Sequence, residues 1–233
     1  MPDTTQTPFT INQKFDFLTD LTSMVVNDIT PSLIVTGEGG LGKTHSVKST
    51  ISQNGLEDNE YVFFKGYSTA RGLYNTLFDN NGKLIVFDDC DSVLEDKVAL
   101  NILKSALDSY ETREISWMAK MTKGDVYPNQ FKFTGRVIFI SNKNKDKMDE
   151  AVLSRSLTVD LSMTSTEKIE RMEFILEDIL PDYDMDVKTD ALNFLTINKD
   201  NCQLNMRTLI MISKMRRTFP DTWINLANFM IKS

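Results

Sequence analysis

Apolar residues follow two different rhythms along this chain. Through residue 161 they come as short unbroken runs that end in polar residues. "SLIVTG", closing on Gly37, is one, and "YVFFKG", Tyr61 to Gly66, is another. "KLIVFDDCDSVL", Lys83 to Leu94, and "RVIFISNKN", Arg136 to Asn144, repeat the form, and a further strand lies within "DEAVLSRSLTVDL", Asp149 to Leu161. Runs without polar alternation are what strands buried on both faces of a parallel sheet require. Helical stretches separate them, so the pattern predicts an α/β fold with five parallel strands and right-handed connections.

After Leu161 the strand rhythm stops. Thr164 and Glu167 form a capping-box pair, and Ile169, Met172, Leu176 and Ile179 recur at helical spacing until Pro181. "VKTDALNFL", "NMRTLIMISKMRR" behind an Asn205 cap, and "DTWINLANFMIK" read as three more helices. The expected organisation is an αβα subdomain over 1–161 and an all-helical lid over 162–233. No linker, repeat or low-complexity stretch separates the two.

Composition narrows the chemistry. The chain has 233 residues, 41% hydrophobic and 25% charged, with a net charge of −7. An acidic chain does not coat nucleic acid with its whole surface, although a local basic groove remains compatible with it. The two cysteines offer no zinc pattern and suit a reducing compartment. His45 is the single histidine, which argues against triad hydrolysis and multi-histidine metal sites. No run approaches the ~20 apolar residues of a membrane span, and the first residues lack a signal-peptide pattern. A cytoplasmic protein without a membrane partner is expected.

Four of the ten glycines crowd into six residues, in "GEGGLGKT" from Gly37 to Thr44. The segment fits G-x-x-x-x-G-K-S/T at every fixed position, between a predicted strand and a predicted helix. Glycines let the main chain approach an anion, and a helix start adds N–H groups and a favourable dipole. The cradle comprises Gly37, Glu38, Gly39, Gly40, Leu41, Gly42, Lys43 and Thr44, with His45 following. Lys43 is expected on the β- and γ-phosphates of ATP, and the Thr44 hydroxyl on Mg²⁺. A packing or surface role is the plainer reading of His45.

The acidic run after Phe87 falls where open α/β sheets bind ligands. Asp88 is expected to hold Mg²⁺ through water, and Asp89 to orient or polarise an attacking water; Asp91 is a candidate helix cap. Helix-start acids are the bland alternative for all three. Asn142, past the next strand tip, is placed to contact the water or γ-phosphate, unless it is simply a turn residue. Arg155 is either a solvated helix end or an arginine finger for a neighbouring subunit.

In this order, the parts resemble an AAA+ ATPase over most of the chain. "GEGGLGKT" matches Walker A. "LIVFDD" looks like Walker B, with Asp89 where most members have glutamate. Asn142 matches sensor 1 and Arg207 sensor 2. Arg155 in "LSRS" is similar to the Ser-Arg-Cys finger of clamp loaders. The details are similar to small AAA+ proteins encoded by bacteriophages, which would place the chain in the host cytoplasm. The resemblance implies a homo-oligomeric ring, expected to be a hexamer, that hydrolyses ATP with Mg²⁺.

For a client, two segments stand out. Phe64 to Gly72 offers Lys65, Tyr67 and Arg71, and Arg113 to Phe133 offers Trp117, Lys120, Lys123 and Lys132. Basic residues beside aromatics suit single-stranded nucleic acid, and an aromatic beside glycine suits gripping a polypeptide. Core packing of Trp117 and solvated lysines is the plainer reading. The leading expectation is remodelling or loading in phage DNA metabolism, on DNA or a replication protein. The alternatives are a remodeller of protein complexes without DNA contact, a slow nucleotide switch, and, more distantly, a nucleotide-binding scaffold.

Overall fold

The structure is a computed structural model that describes residues 9–109, 112–117 and 126–232. Lys120 and Lys123 lie outside the described residues. The chain divides into two compact units. Of the described residues, one unit holds those within Phe15–Glu38 and Lys43–Ser162; the other holds 9–14, Gly39–Gly42 and 163–232.

The first unit is built on five parallel strands: β1 (Ser32–Thr36), β2 (Tyr61–Lys65), β3 (Leu84–Asp88), β6 (Arg136–Ile140) and β7 (Leu157–Asp160). They lie in the order β2-β3-β6-β1-β7. Every residue of β1 and β3 is buried, as the apolar runs predict for inner strands. Phe87 of β3 packs between Phe64 of β2 and Phe139 of β6, with ring centroids 5.9 and 5.8 Å away. Helices α2 (Lys43–Gln53), α3 (Ala70–Asp79), α4 (Lys97–Ala106) and the short α5 (Glu150–Leu153) interleave with the strands. The expected five-stranded parallel α/β sheet is therefore present.

Two elements of this region go beyond the sequence reading. Helix α1 (Ile11–Val26) precedes the first strand. Its signal was present: Thr10 and Gln13 form a reciprocal cap, and Ile11, Phe15, Leu18 and Val25 are buried at helical spacing. The second is an antiparallel pair, β4 (Arg113–Ser116) with β5 (Gln130–Phe133), inside the segment read as a client loop. Phe131 meets Tyr74 and Phe78 edge-on, and Trp117 lies 5.9 Å from Tyr74, packed against the core. The plainer reading of Trp117 is the observed one.

The second unit contains α6 (Ser165–Phe174), α7 (Met185–Ile197), α8 (Met206–Thr218) and α9 (Trp223–Lys232). The Thr164–Glu167 capping box and the Asn205 cap form as expected. Helix α6 ends earlier than its spacing predicts. The buried Lys188 of α7 donates to the Glu177 and Ile179 carbonyls, both 3.1 Å away, and Leu180 takes a left-handed φ of 48°. A capping ammonium from the next helix thus replaces the final helical turn. Among the described residues no helix is long and apolar enough to cross a membrane.

Candidate functional site

Parallel register determines which side chains meet at the C-terminal ends of the strands. Asp88, the last residue of β3, stands beside Lys65 of β2 on one side and Ile140 of β6 on the other. Asp89 follows immediately beyond β3, and Asn142 stands two residues beyond β6. The phosphate-loop segment leaves β1 at Gly37 and enters α2 at Lys43.

These ends carry a continuous polar circuit. Thr44 Oγ1 donates to Asp88 Oδ1 at 3.0 Å. Lys65 Nζ lies 3.2 Å from Asp88 Oδ2 and 3.1 Å from Asp89 Oδ2. Asn142 Nδ2 donates to Asp89 Oδ1, while Asn142 Oδ1 accepts from Lys43 Nζ at 3.1 Å. Lys43 also donates to the Gly37 and Glu38 carbonyls. Every sequence candidate in the loop start, β3 tip and β6 tip is therefore in one place.

The electrostatics follow from burial. Lys43 is 5% exposed, and burial pushes its ammonium down to about 8, although Asp89, Asp88, Asp91 and Glu38 pull the other way. The Asp89 and Asp88 carboxylates hold the Lys65 ammonium above the ordinary lysine range, hydrogen bonding to Asp89 being the larger cause. Asp89 has a φ of 57°, a left-handed conformation that an aspartate adopts at some cost. Its main-chain N–H donates to Ile140 O at 3.3 Å, which fixes the bend at the strand tip.

The loop glycines are required sterically. Gly37 has a φ of 128°, and a Cβ there would stand 2.8 Å from the Leu161 carbonyl carbon and oxygen. In the second unit, Gly40 accepts a hydrogen bond from Met206 N at 2.8 Å, and a Cβ on it would meet Asn205 at 3.1 Å. Arg207 follows Met206, so it sits exposed on the first turn of a helix whose entry is hydrogen-bonded to the glycine loop. Leu41 is buried and contributes packing, whereas Glu38, Gly39 and His45 are exposed.

Two members of the site were not read from the sequence in these roles. Lys65 joins the carboxylates instead of extending the Phe64–Gly72 segment toward a client. Asp91 accepts from Ser141 Oγ at 2.6 Å and from Asn142 N at 3.3 Å, so its carboxylate positions Asn142. Acidic spacing alone could not separate that role from a helix cap. Arg155 lies elsewhere: it donates to Ala151 O at 2.6 Å and pairs with Asp108 at 3.5 Å. Arg71 stacks over Trp117, Tyr127 and Tyr74, which leaves Tyr67, 83% exposed, as the open aromatic of its segment.

Among the described residues no group of three or more His, Cys, Asp or Glu forms a metal cluster. The donor set at Thr44 and Asp88 is oxygen only, which suits Mg²⁺ with phosphate and water completing its shell.

Comparison with known proteins agrees with this geometry at the level of fold. No family model matches the chain. RuvB of Thermotoga maritima, solved as an arginine-to-alanine variant, aligns with a TM-score of 0.51 at 15% identity. The alignment covers 89% of this chain but 61% of RuvB, so the chain spans about three fifths of that protein. The likeness is one of fold: a five-stranded parallel sheet with flanking helices and a C-terminal helical region. The chain is also 28% identical over 243 residues to an uncharacterized 36.7 kDa protein in the nrdC–mobD intergenic region of Enterobacteria phage T4. That alignment covers 93% of this chain and 73% of the phage protein.

Proposed function

We propose that this protein binds and hydrolyses ATP with Mg²⁺, using Lys43, Thr44, Asp88, Asp89 and Asn142 as one site. The observation that carries this reading is the circuit itself: Gly37 and Glu38 at the start of the loop, the lysine and threonine that follow it, two carboxylates and an amide, joined at one end of a parallel sheet. Lys43 would take the β/γ-phosphates, Thr44 and Asp88 the metal, and Asp89 with Asn142 the attacking water. When bound, Mg²⁺ would neutralise charge on the phosphates. The direct test is calorimetric titration with ATP. Micromolar binding that Lys43→Ala abolishes supports the reading, and failure of ATP to bind overturns it.

The finer parts of the proposal concern assembly. In a homo-oligomeric ring, expected to be hexameric, Arg155 would leave Asp108 to reach a neighbour's nucleotide, and Arg207 would read the γ-phosphate from the lid. Specific activity would then rise with protein concentration. Arg155→Ala would bind ATP without turning it over, and mixing it with Asp89→Asn would restore part of the activity. Equal specific activity at all concentrations would overturn the shared-site proposal.

The client remains proposed as DNA or a DNA-bound replication protein in the host cytoplasm, on the strength of exposed Tyr67 and Lys132 and the phage relative. ATPase stimulation by single-stranded DNA at low salt, lost as salt rises, is the expected result. No stimulation and no binding would favour the protein-remodelling alternative. A slow nucleotide switch is the second reading. It is favoured by Asp89, one methylene shorter than glutamate and held by Lys65 and Asn142.

A further inference from the structure

One charged group in the site is not needed by a phosphate loop or by water activation. Lys65 ends β2, and the parallel register sets it directly opposite Asp88. Its ammonium spans Oδ2 of both carboxylates, at 3.2 and 3.1 Å. The three partners differ in freedom. The Asp88 side chain is 5% exposed, that of Asp89 34%, and that of Lys65 63%. Asp88 is further tied by the Thr44 hydroxyl on its other oxygen. The lysine is therefore the movable member of the pair.

We propose that Lys65 is a resident counter-cation that competes with the divalent cation for Asp88 and so sets the magnesium concentration at which nucleotide binds. This rests on the nucleotide reading above. Two carboxylates at one strand tip would attract a divalent cation strongly, and the ammonium between them cancels one of their two charges. A cation arriving beside Thr44 and Asp88 meets a carboxylate already paired and a like charge close by. Lys65 can swing into solvent at small cost, because an exposed ammonium regains its hydration and its rotamer freedom. An arginine at this place would keep the competing charge, whereas a neutral side chain would remove it.

The test compares the parent, Lys65→Met, Lys65→Gln and Lys65→Arg, each saturated with ADP. Mn²⁺ is titrated in, and the free ion is followed by its paramagnetic resonance signal. Loss of the charge should lower the Mn²⁺ midpoint by about tenfold in both neutral variants. Lys65→Arg should stay near the parent. ADP affinity without metal, measured by calorimetry, should change less than the Mn²⁺ midpoint. Neutral variants with an unchanged or higher midpoint would overturn the competition. If the parent binds no ADP at any Mn²⁺ concentration, the nucleotide reading itself fails. Two neutral side chains of different polarity are used so that misfolding of one leaves the other as the test.

Discussion

The two ends of the parallel sheet both bury charge, and they hold it in different ways. At the N-terminal end, Arg113 is 8% exposed and donates to the Ala106 and Gly135 carbonyls at 3.0 and 2.8 Å. Arg136, the first residue of β6, donates to the Val25 and Val26 carbonyls at the end of α1. At the C-terminal end, Thr44, Asp88, Lys65, Asp89 and Asn142 hold one another through side chains. A charge such as Arg113, donating to carbonyls of two separate segments of the core, cannot change partners without disturbing the fold. Lys43 also donates to carbonyls, but these belong to its own loop, and its third partner is the Asn142 side chain. A charge whose partners are side chains can change them, once an anion or a cation arrives. The same sheet thus has a fixed end and a rearrangeable end, and the strained Asp89 belongs to the second.

This contrast can be broken at several points. The largest effect is expected from Arg113→Met. It leaves two carbonyls without their donor and should cost about 3 kcal/mol of stability in urea denaturation. ATP affinity of the folded protein should not move. A loss below about 1 kcal/mol would mean that the fixed end is no more structural than an exposed ion pair.

Lys43→Ala should do the reverse. ATP affinity should fall by about a hundredfold in calorimetry, the loss expected when a buried cation on a phosphate is removed. The melting temperature should fall by less than in Arg113→Met, because burial, which pushes this ammonium down to about 8, offsets part of what its hydrogen bonds to Gly37, Glu38 and Asn142 contribute. A large drop in melting temperature would assign Lys43 to the structural class with Arg113.

Asp89→Asn keeps shape and should keep ATP binding, while turnover falls by at least tenfold as polarisation of the water weakens. Equal turnover in the variant and the parent would remove Asp89 from catalysis. The smallest effect sharpens the contrast within one residue. Asp89→Gly relieves the left-handed strain and should stabilise the fold by about 0.5 kcal/mol while abolishing turnover. Lost stability would show that Asp89 helps hold the strand tip together and is not strained for function.

Much of this was legible in the sequence because the relevant signals are local. Unbroken runs such as Leu84–Phe87 announced buried strands, "GEGGLGKT" announced the loop, and Thr164 with Glu167 announced a helix start. In each case residues a few positions apart determine their own backbone. The Thr10–Gln13 cap of α1 is equally local. Other features were decided only by the tertiary structure. Lys65 and Asp88 are 23 residues apart, and the β2–β3 register puts them side by side. Asp91 and Ser141, 50 residues apart, meet because β3 and β6 are neighbours. Lys188 shortens α6 from the following helix, and the β4–β5 strands are four residues each, too brief for periodicity to register. A sequence determines local backbone preference through neighbouring side chains. Which charged groups share a site depends on strand order and register, and these are set by burial of the whole sheet.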